Sequence, residues 1–140
     1  MLKGIPSIIS PELLKILMEM GHGDEIVIGD GNFPAASNAK RLVRLDGHGA
    51  AEVLKAITKL MPLDQYDKNN VGLMEVVPGD PVVPEIWDEY REIVKADDAA
   101  GVFFMERFEF YERARNAYAI VATGESAIYA NVLLKKGVVK

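Results

Sequence analysis

Apolar positions along the chain fall into short runs punctuated by glycine, proline and acidic residues, and the runs switch between helical and strand-like spacing. Ser10-Pro11-Glu12 reads as an N-cap, a first helical residue and an acid that complements the helix dipole. The helix "PELLKILMEM" then stops at Gly21, which is expected to take the left-handed C-terminal position. "EIVIG" is a short, fully apolar strand of the kind buried on both faces. "DGNFPAASNAK" reads as a loop, and "RLVRL" alternates as a strand does. "GAAEVLKAITKL" has helical spacing at Val53, Leu54 and Ile57, with Pro62 beyond its end.

"VGLMEVV" reads as a strand closed by Pro78-Gly79-Asp80, and Pro84 is expected to open the helix "PEIWDEYREIVKA". "VFFMER" is a strand ending at Arg107, "FEFYERARNA" a compact helix and "YAIVAT" a further strand. Gly124-Glu125 turns the chain into a last predicted strand, "AIYANVLL". Strands alternate with helices almost throughout, which predicts an α/β class: one layered domain over residues 1–140 with helices covering the sheet. No internal repeat or linker divides it.

Composition narrows the function. Zero cysteines exclude disulfides and thiolate metal sites. The formal charge of −5 is spread among alternating acids and bases, so nucleic acid is set aside and a neutral ligand suits the chain best. No apolar run has the length of a membrane span, and the N-terminal stretch is not expected to be a signal peptide.

The candidate chemistry starts with His22, set between Gly21 and Gly23. It reads either as a complement to the helix dipole or as a general acid–base group that titrates near neutrality. Asp30, beyond the far end of the apolar strand, is either a turn residue or a multiple hydrogen-bond acceptor. A strand of about four residues spans roughly 13 Å, so the two do not meet side by side within one chain. A shared site then needs folded-back loops or a neighbouring subunit.

Arg107 is expected at a strand edge, free for a ligand or paired with Glu106 or Glu109. Tyr129 and Asn131, one residue apart, face the same side if their segment is a strand. A phenol and an amide there suit a polyhydroxylated ligand, or simply an outer face. "GDGNFP" fails as a nucleotide loop because Pro34 replaces the third glycine, and "DGN" fails as a calcium loop because Arg41 stands where the bidentate glutamate belongs. His48 reads as a turn or helix-entry residue, and two histidines without ligand spacing make no metal site.

Taken together, "SPELLKILMEMGHGDEIVIGD", "FP", "RFEFYERARNAYAIVATGE" and "YANVLLKKGV" resemble the RbsD/FucU family of sugar mutarotases. The likeness runs from residue 1 to 139 and is weakest over 46–100. It implies a mixed sheet, a neutral monosaccharide ligand (L-fucose or D-ribose), no metal or organic cofactor, and cytoplasmic rings of subunits, typically decamers. It implies His22 as proton donor and Asp30, Arg107 and the segment Tyr129-Ala130-Asn131 as sugar-binding residues. In such a mechanism Tyr129, or a water it positions, is expected to handle the anomeric hydroxyl. "RFEFYERA" is similar to the fucose branch. Asn32 and Ala36 leave the loop after Asp30 without a second imidazole, which has some flavour of the ribose-pyranase branch. A non-catalytic sugar-binding module is the alternative from another class.

Overall fold

A computed structural model describes residues 1–140. Its elements are α1 (Pro11–Glu19), β1 (Glu25–Gly29), α2 (Ala35–Asn38), β2 (Leu42–Leu45), α3 (Ala50–Leu60), β3 (Val71–Met74), α4 (Ile86–Val94), β4 (Val102–Met105), α5 (Arg107–Asn116), β5 (Ala119–Thr123) and β6 (Val132–Lys135). No helix is long and apolar enough to cross a membrane.

The six strands form one sheet in the order β2-β5-β1-β6-β3-β4. β2, β5 and β1 run parallel, as do β3 and β4, while β6 is antiparallel to both β1 and β3. Five strands therefore point one way and β6 alone points back. Side chains alternate across the sheet, so neighbouring residues of one strand feed different cores. Ile26, Ile28, Val132 and Leu134 pack under α1, α3 and α4 with Leu13, Leu54 and Tyr90. Val27, Ile120 and Leu133 pack on the other face with Phe110 and Ala114 of α5 and with Phe33. Helices cover both faces of a mixed sheet, as the alternation of strands and helices predicts.

Local details depart from the sequence reading in five places. The Ser10 hydroxyl caps α1 by accepting from the Leu13 N–H at 3.1 Å, but the helix leaves through an extended Met20. Met20 is 2 % exposed, so its side chain is committed to the core before the chain can reverse. Gly23, at φ 85°, takes the left-handed position instead of Gly21. The predicted loop after Asp30 contains the single-turn α2, in which Ala35 is buried. The helix expected from Pro84 begins at Ile86.

Arg107 does not end a strand. The Glu106 carboxylate accepts from the N–H groups of Phe108 and Glu109, at 2.8 and 3.2 Å, and so caps α5 with Arg107 as its first residue. Tyr129 and Asn131 do not lie on a strand either. β6 begins at Val132, and Tyr129 sits at φ 57°, the left-handed region.

Leu134 is fully buried and registers with Ile26 on one side and Val71 on the other. Leu134→Ala is expected to destabilise the fold by about 2–5 kcal/mol, whereas Leu2→Ala at an exposed position costs under about 0.5. Denaturant unfolding at one fixed protein concentration measures both.

Candidate active site

The carboxyl ends of β1, β3 and β4 and the amino end of β6 converge at one edge of the sheet, the usual place for ligands in open α/β folds. A cavity of about 270 Å³ opens there, and Asp30, Arg107, Tyr129 and Asn131 all line it. It is at the small end of ligand pockets, about 300–1,000 Å³, and fits a ligand of monosaccharide size.

Asp30 follows directly from β1 and is 6 % exposed. Its backbone N–H donates to Asn131 Oδ1 at 2.8 Å, which ties the end of β1 to the start of β6. The carboxylate accepts from the Asn32 N–H at 3.0 Å and from the Ala130 N–H at 3.4 Å. Burial pushes its pKa above the ordinary carboxylate value, and these N–H donors offset only part of that shift. Asn131 spends its Oδ1 on Asp30, and its amide nitrogen has no partner within the chain. A buried acceptor and a free donor thus stand side by side. One wall is the Phe33 ring, which approaches so close that a Cβ on Gly29 would lie 2.8 Å from it.

Tyr129 is held from both ends. Its carbonyl accepts from Trp87 Nε1 at 2.8 Å, and its phenol donates to Asp80 Oδ2 at 2.7 Å and accepts from the Val77 N–H at 3.3 Å. The hydrogen bond to Asp80 raises the phenol pKa, so the proton stays on Tyr129 with a carboxylate ready beside it. Arg107 Nε donates to the Tyr111 hydroxyl at 3.3 Å, and no carboxylate lies within ion-pair distance of the guanidinium. Neither Glu106 nor Glu109 pairs with it; Glu106 is occupied as the α5 cap. Ala130 is fully buried, with its N–H on Asp30 and its carbonyl accepting from the Tyr90 hydroxyl at 2.6 Å. It braces the cavity and presents nothing to it.

His22 is elsewhere. It lies in the turn before β1, at the opposite end of that strand, and does not line the cavity. Its Nε2 is 2.9 Å from Asp64 Oδ1, and the Tyr66 ring lies 5.4 Å from the imidazole. His48 Nδ1 approaches Glu52 Oε1, which also accepts from the Gly49 N–H, each at 3.0 Å, so His48 belongs to the entry of α3. No three His, Asp or Glu side chains converge to hold a metal ion.

Asp80, Asp64 and Tyr111 complete these two clusters and went unnoticed as site residues in the sequence. Asp80 had one readable signal, its place after Gly79 in a proline-flanked turn. Tyr111 had another, its place one helical turn after Arg107, whereas Asp64 had none, because only the folded sheet brings it to His22.

Because the folded Asp30 holds its proton more tightly than the unfolded chain, its charge opposes folding. That penalty is absent below the unfolded value, about 3.9, and grows as pH rises through the raised folded value. Asp30→Asn removes it. The stability of the variant relative to the parent is therefore expected to increase with pH from about 4 upward, in denaturant titrations at stepped pH. A relative stability that falls with pH contradicts this.

Residues 3–139 match the model of the RbsD / FucU transport protein family. A protein of Danio rerio called fucose mutarotase is 51 % identical over 146 residues, covering 99 % of this chain and 94 % of that one. The fold superposes with a TM-score of 0.93 on a fucose mutarotase from Streptococcus pneumoniae in complex with L-fucose, which is 52 % identical and covers 99 % and 100 % of the two chains. FucU from Bifidobacterium longum gives a TM-score of 0.96 at 57 % identity over the same shares. With the family model matched over residues 3–139 and relatives about half identical over nearly the whole chain, the chain belongs to the RbsD/FucU family.

Proposed function

We propose that the chain is an L-fucose mutarotase, an isomerase that interconverts the α and β anomers of a reducing monosaccharide. The observation that carries this reading is the cavity in which Asp30, Arg107, Tyr129 and Asn131 converge on a space of about 270 Å³. Its acceptors and donors suit a neutral polyol. Relatives named fucose mutarotase at about half identity over nearly the whole chain supply the sugar.

Mutarotation breaks the bond between the anomeric carbon and the ring oxygen, then remakes it on the other face of the carbonyl. His22 protonates the ring oxygen as that bond breaks. Tyr129 takes the proton of the anomeric hydroxyl while its own phenol proton passes to Asp80, 2.7 Å away, and the anomeric C–O becomes the carbonyl. Closure reverses each transfer, so atoms and charge balance with nothing consumed. Asp30, Asn131 and Arg107 hold the remaining hydroxyls, which keeps the open chain close to its closing geometry. Acid–base assistance of about 10²–10⁴-fold suffices for a reaction that already proceeds slowly unaided.

His22 and the cavity occupy opposite ends of β1, so one chain does not complete this site. Exposed apolar side chains flank both ends: Phe108 and Ile128 beside the cavity, and Tyr66 beside His22. A head-to-tail ring unites the halves, with the His22 turn of one subunit against the Tyr129 segment of the next. In this reading the working enzyme is a cytoplasmic ring, a decamer on the family pattern.

Saturation-transfer NMR tests the activity. L-Fucose is expected to exchange anomers faster than D-ribose under identical conditions, and His22→Ala is expected to abolish exchange with an unchanged circular dichroism spectrum. A clear preference for ribose moves the chain to the pyranase branch, and ligand binding without exchange makes it a binding module. Inactive His22→Ala and Tyr129→Phe proteins, refolded together, are expected to regain activity, because about one heterologous interface in four then has both native groups. No recovery in rings verified as mixed by native mass spectrometry places both groups in one subunit's site.

A further inference from the structure

Tyr129 has an anchor that lies outside the cavity. Trp87, in the first turn of α4, does not line that space, yet its Nε1–H donates to the Tyr129 carbonyl at 2.8 Å. It is the only tryptophan in the chain. Its indole rests on Phe104 of the edge strand β4, with ring centroids 5.0 Å apart, and Arg91 one helical turn on faces the same ring. Trp87 is half-buried and Phe104 exposed, at the margin of the core. Packing there is served equally by a phenylalanine, which has no donor.

The same stretch of chain holds the other end of Tyr129. Asp80 Oδ1 accepts the Val82 N–H at 3.1 Å, and the Asp80 N–H donates to the Val77 carbonyl at 3.0 Å, so this carboxylate is set by its own turn. Gly79, at φ 90°, lets the turn close, and Pro78, Pro81 and Pro84 stiffen the path from it to α4. Oδ2 is left for the phenol. Asp80 and Trp87 thus grip Tyr129 by its two ends from one proline-braced segment.

Tyr129 needs such a grip. A side chain at φ 57° pays an energetic cost, and the conformation persists only where its surroundings over-determine it. The Tyr129 carbonyl precedes β6 and has no ladder partner, and the indole N–H, which donates and cannot accept, supplies one. Tyr90, one turn further along α4, does the same for the Ala130 carbonyl, but from inside the core at 1 % exposure. Removing its hydroxyl strikes at the fold. Of the two donors, Trp87 is the one whose bond serves the site more than the core.

We infer that Trp87 is a positioning residue for Tyr129: its indole N–H holds the Tyr129 carbonyl, and with it the left-handed backbone that keeps the phenol on Asp80 at the cavity wall. The inference rests on the reading of Tyr129 as the group that takes the anomeric proton. Without the indole bond the backbone at Tyr129 relaxes toward the ordinary extended region and the ring swings away from Asp80. The relay from sugar hydroxyl to phenol to carboxylate is then broken. Sugar affinity stays with Asp30, Asn131 and Arg107, so the loss falls on the proton step.

Trp87→Phe keeps an aromatic ring on Phe104 and removes the donor. In ¹³Cζ-tyrosine-labelled protein, the resonance lost from Tyr129→Phe identifies the Tyr129 phenol, whose pKa the hydrogen bond to Asp80 raises. In Trp87→Phe that pKa is expected to fall back toward about 10. L-Fucose anomer exchange is expected to slow by about 3–10-fold, the worth of one hydrogen bond, through kcat with little change in KM. A Tyr129 titration unmoved by the substitution overturns the positioning role. A lowered titration with undiminished exchange instead overturns Tyr129 as the proton-handling group, leaving Trp87 nothing to position. Replacing Trp87 by benzothienylalanine, which keeps the bicyclic shape and puts sulfur where the N–H stood, gives the same readings should Trp87→Phe fail to fold.

Discussion

The antiparallel ladder of β6 against β1 pairs Ile26 with Leu134 and Ile28 with Val132, and sets where both ends of the sheet place their side chains. β6 is the one reversed strand among five that run together, and it lies between β1 and β3. Its amino end therefore meets the carboxyl ends of its neighbours, bringing Tyr129 and Asn131 to Asp30. Its carboxyl end meets the amino end of β1, bringing Lys135 and Lys136 to the His22 turn and the Asp64 loop. A slip of one residue would exchange the two faces and dissolve both clusters.

Each cluster places a carboxylate beside a group able to carry a proton. Asp30 is charged at a cost, since burial raises its pKa against the two N–H donors that hold it. Asp64 is better compensated, by the Tyr66 N–H and the ring of His22. The fold thus concentrates its unfavourable desolvation where a ligand's hydroxyls can relieve it. Strain follows the same pattern, for the only non-glycine residue at positive φ is Tyr129.

The order of elements was legible from the sequence because the strands are short, apolar and bounded by glycine or proline, and because caps such as Ser10 act locally. Asp30, Arg107, Tyr129 and Asn131 were brought together in the sequence by family likeness, and the cavity joins them by a different geometry from the one their local spacing suggested. Tyr129 and Asn131 reach it from a left-handed turn, since Trp87 and Tyr90 claim the carbonyls of Tyr129 and Ala130 before β6 begins. Arg107 reaches it from a helix start, because Glu106 caps α5 with its own side chain. The contacts of Asp64 and Asp80 were illegible for a general reason. Their partners lie 42 and 49 residues away, and no local pattern encodes a contact over that distance.

The central claim is that the sugar sits at the carboxyl edge of one subunit and takes its proton from the His22 turn of another. A crystal structure of the assembled protein with L-fucose bound tests it most directly. The account predicts sugar hydroxyls within hydrogen-bond distance of Asp30 and Asn131, with the imidazole of a neighbouring copy's His22 within about 3 Å of the ring oxygen. Sugar bound in that cavity with every His22 remote from it, or with its own subunit's His22 folded over it, would contradict the account.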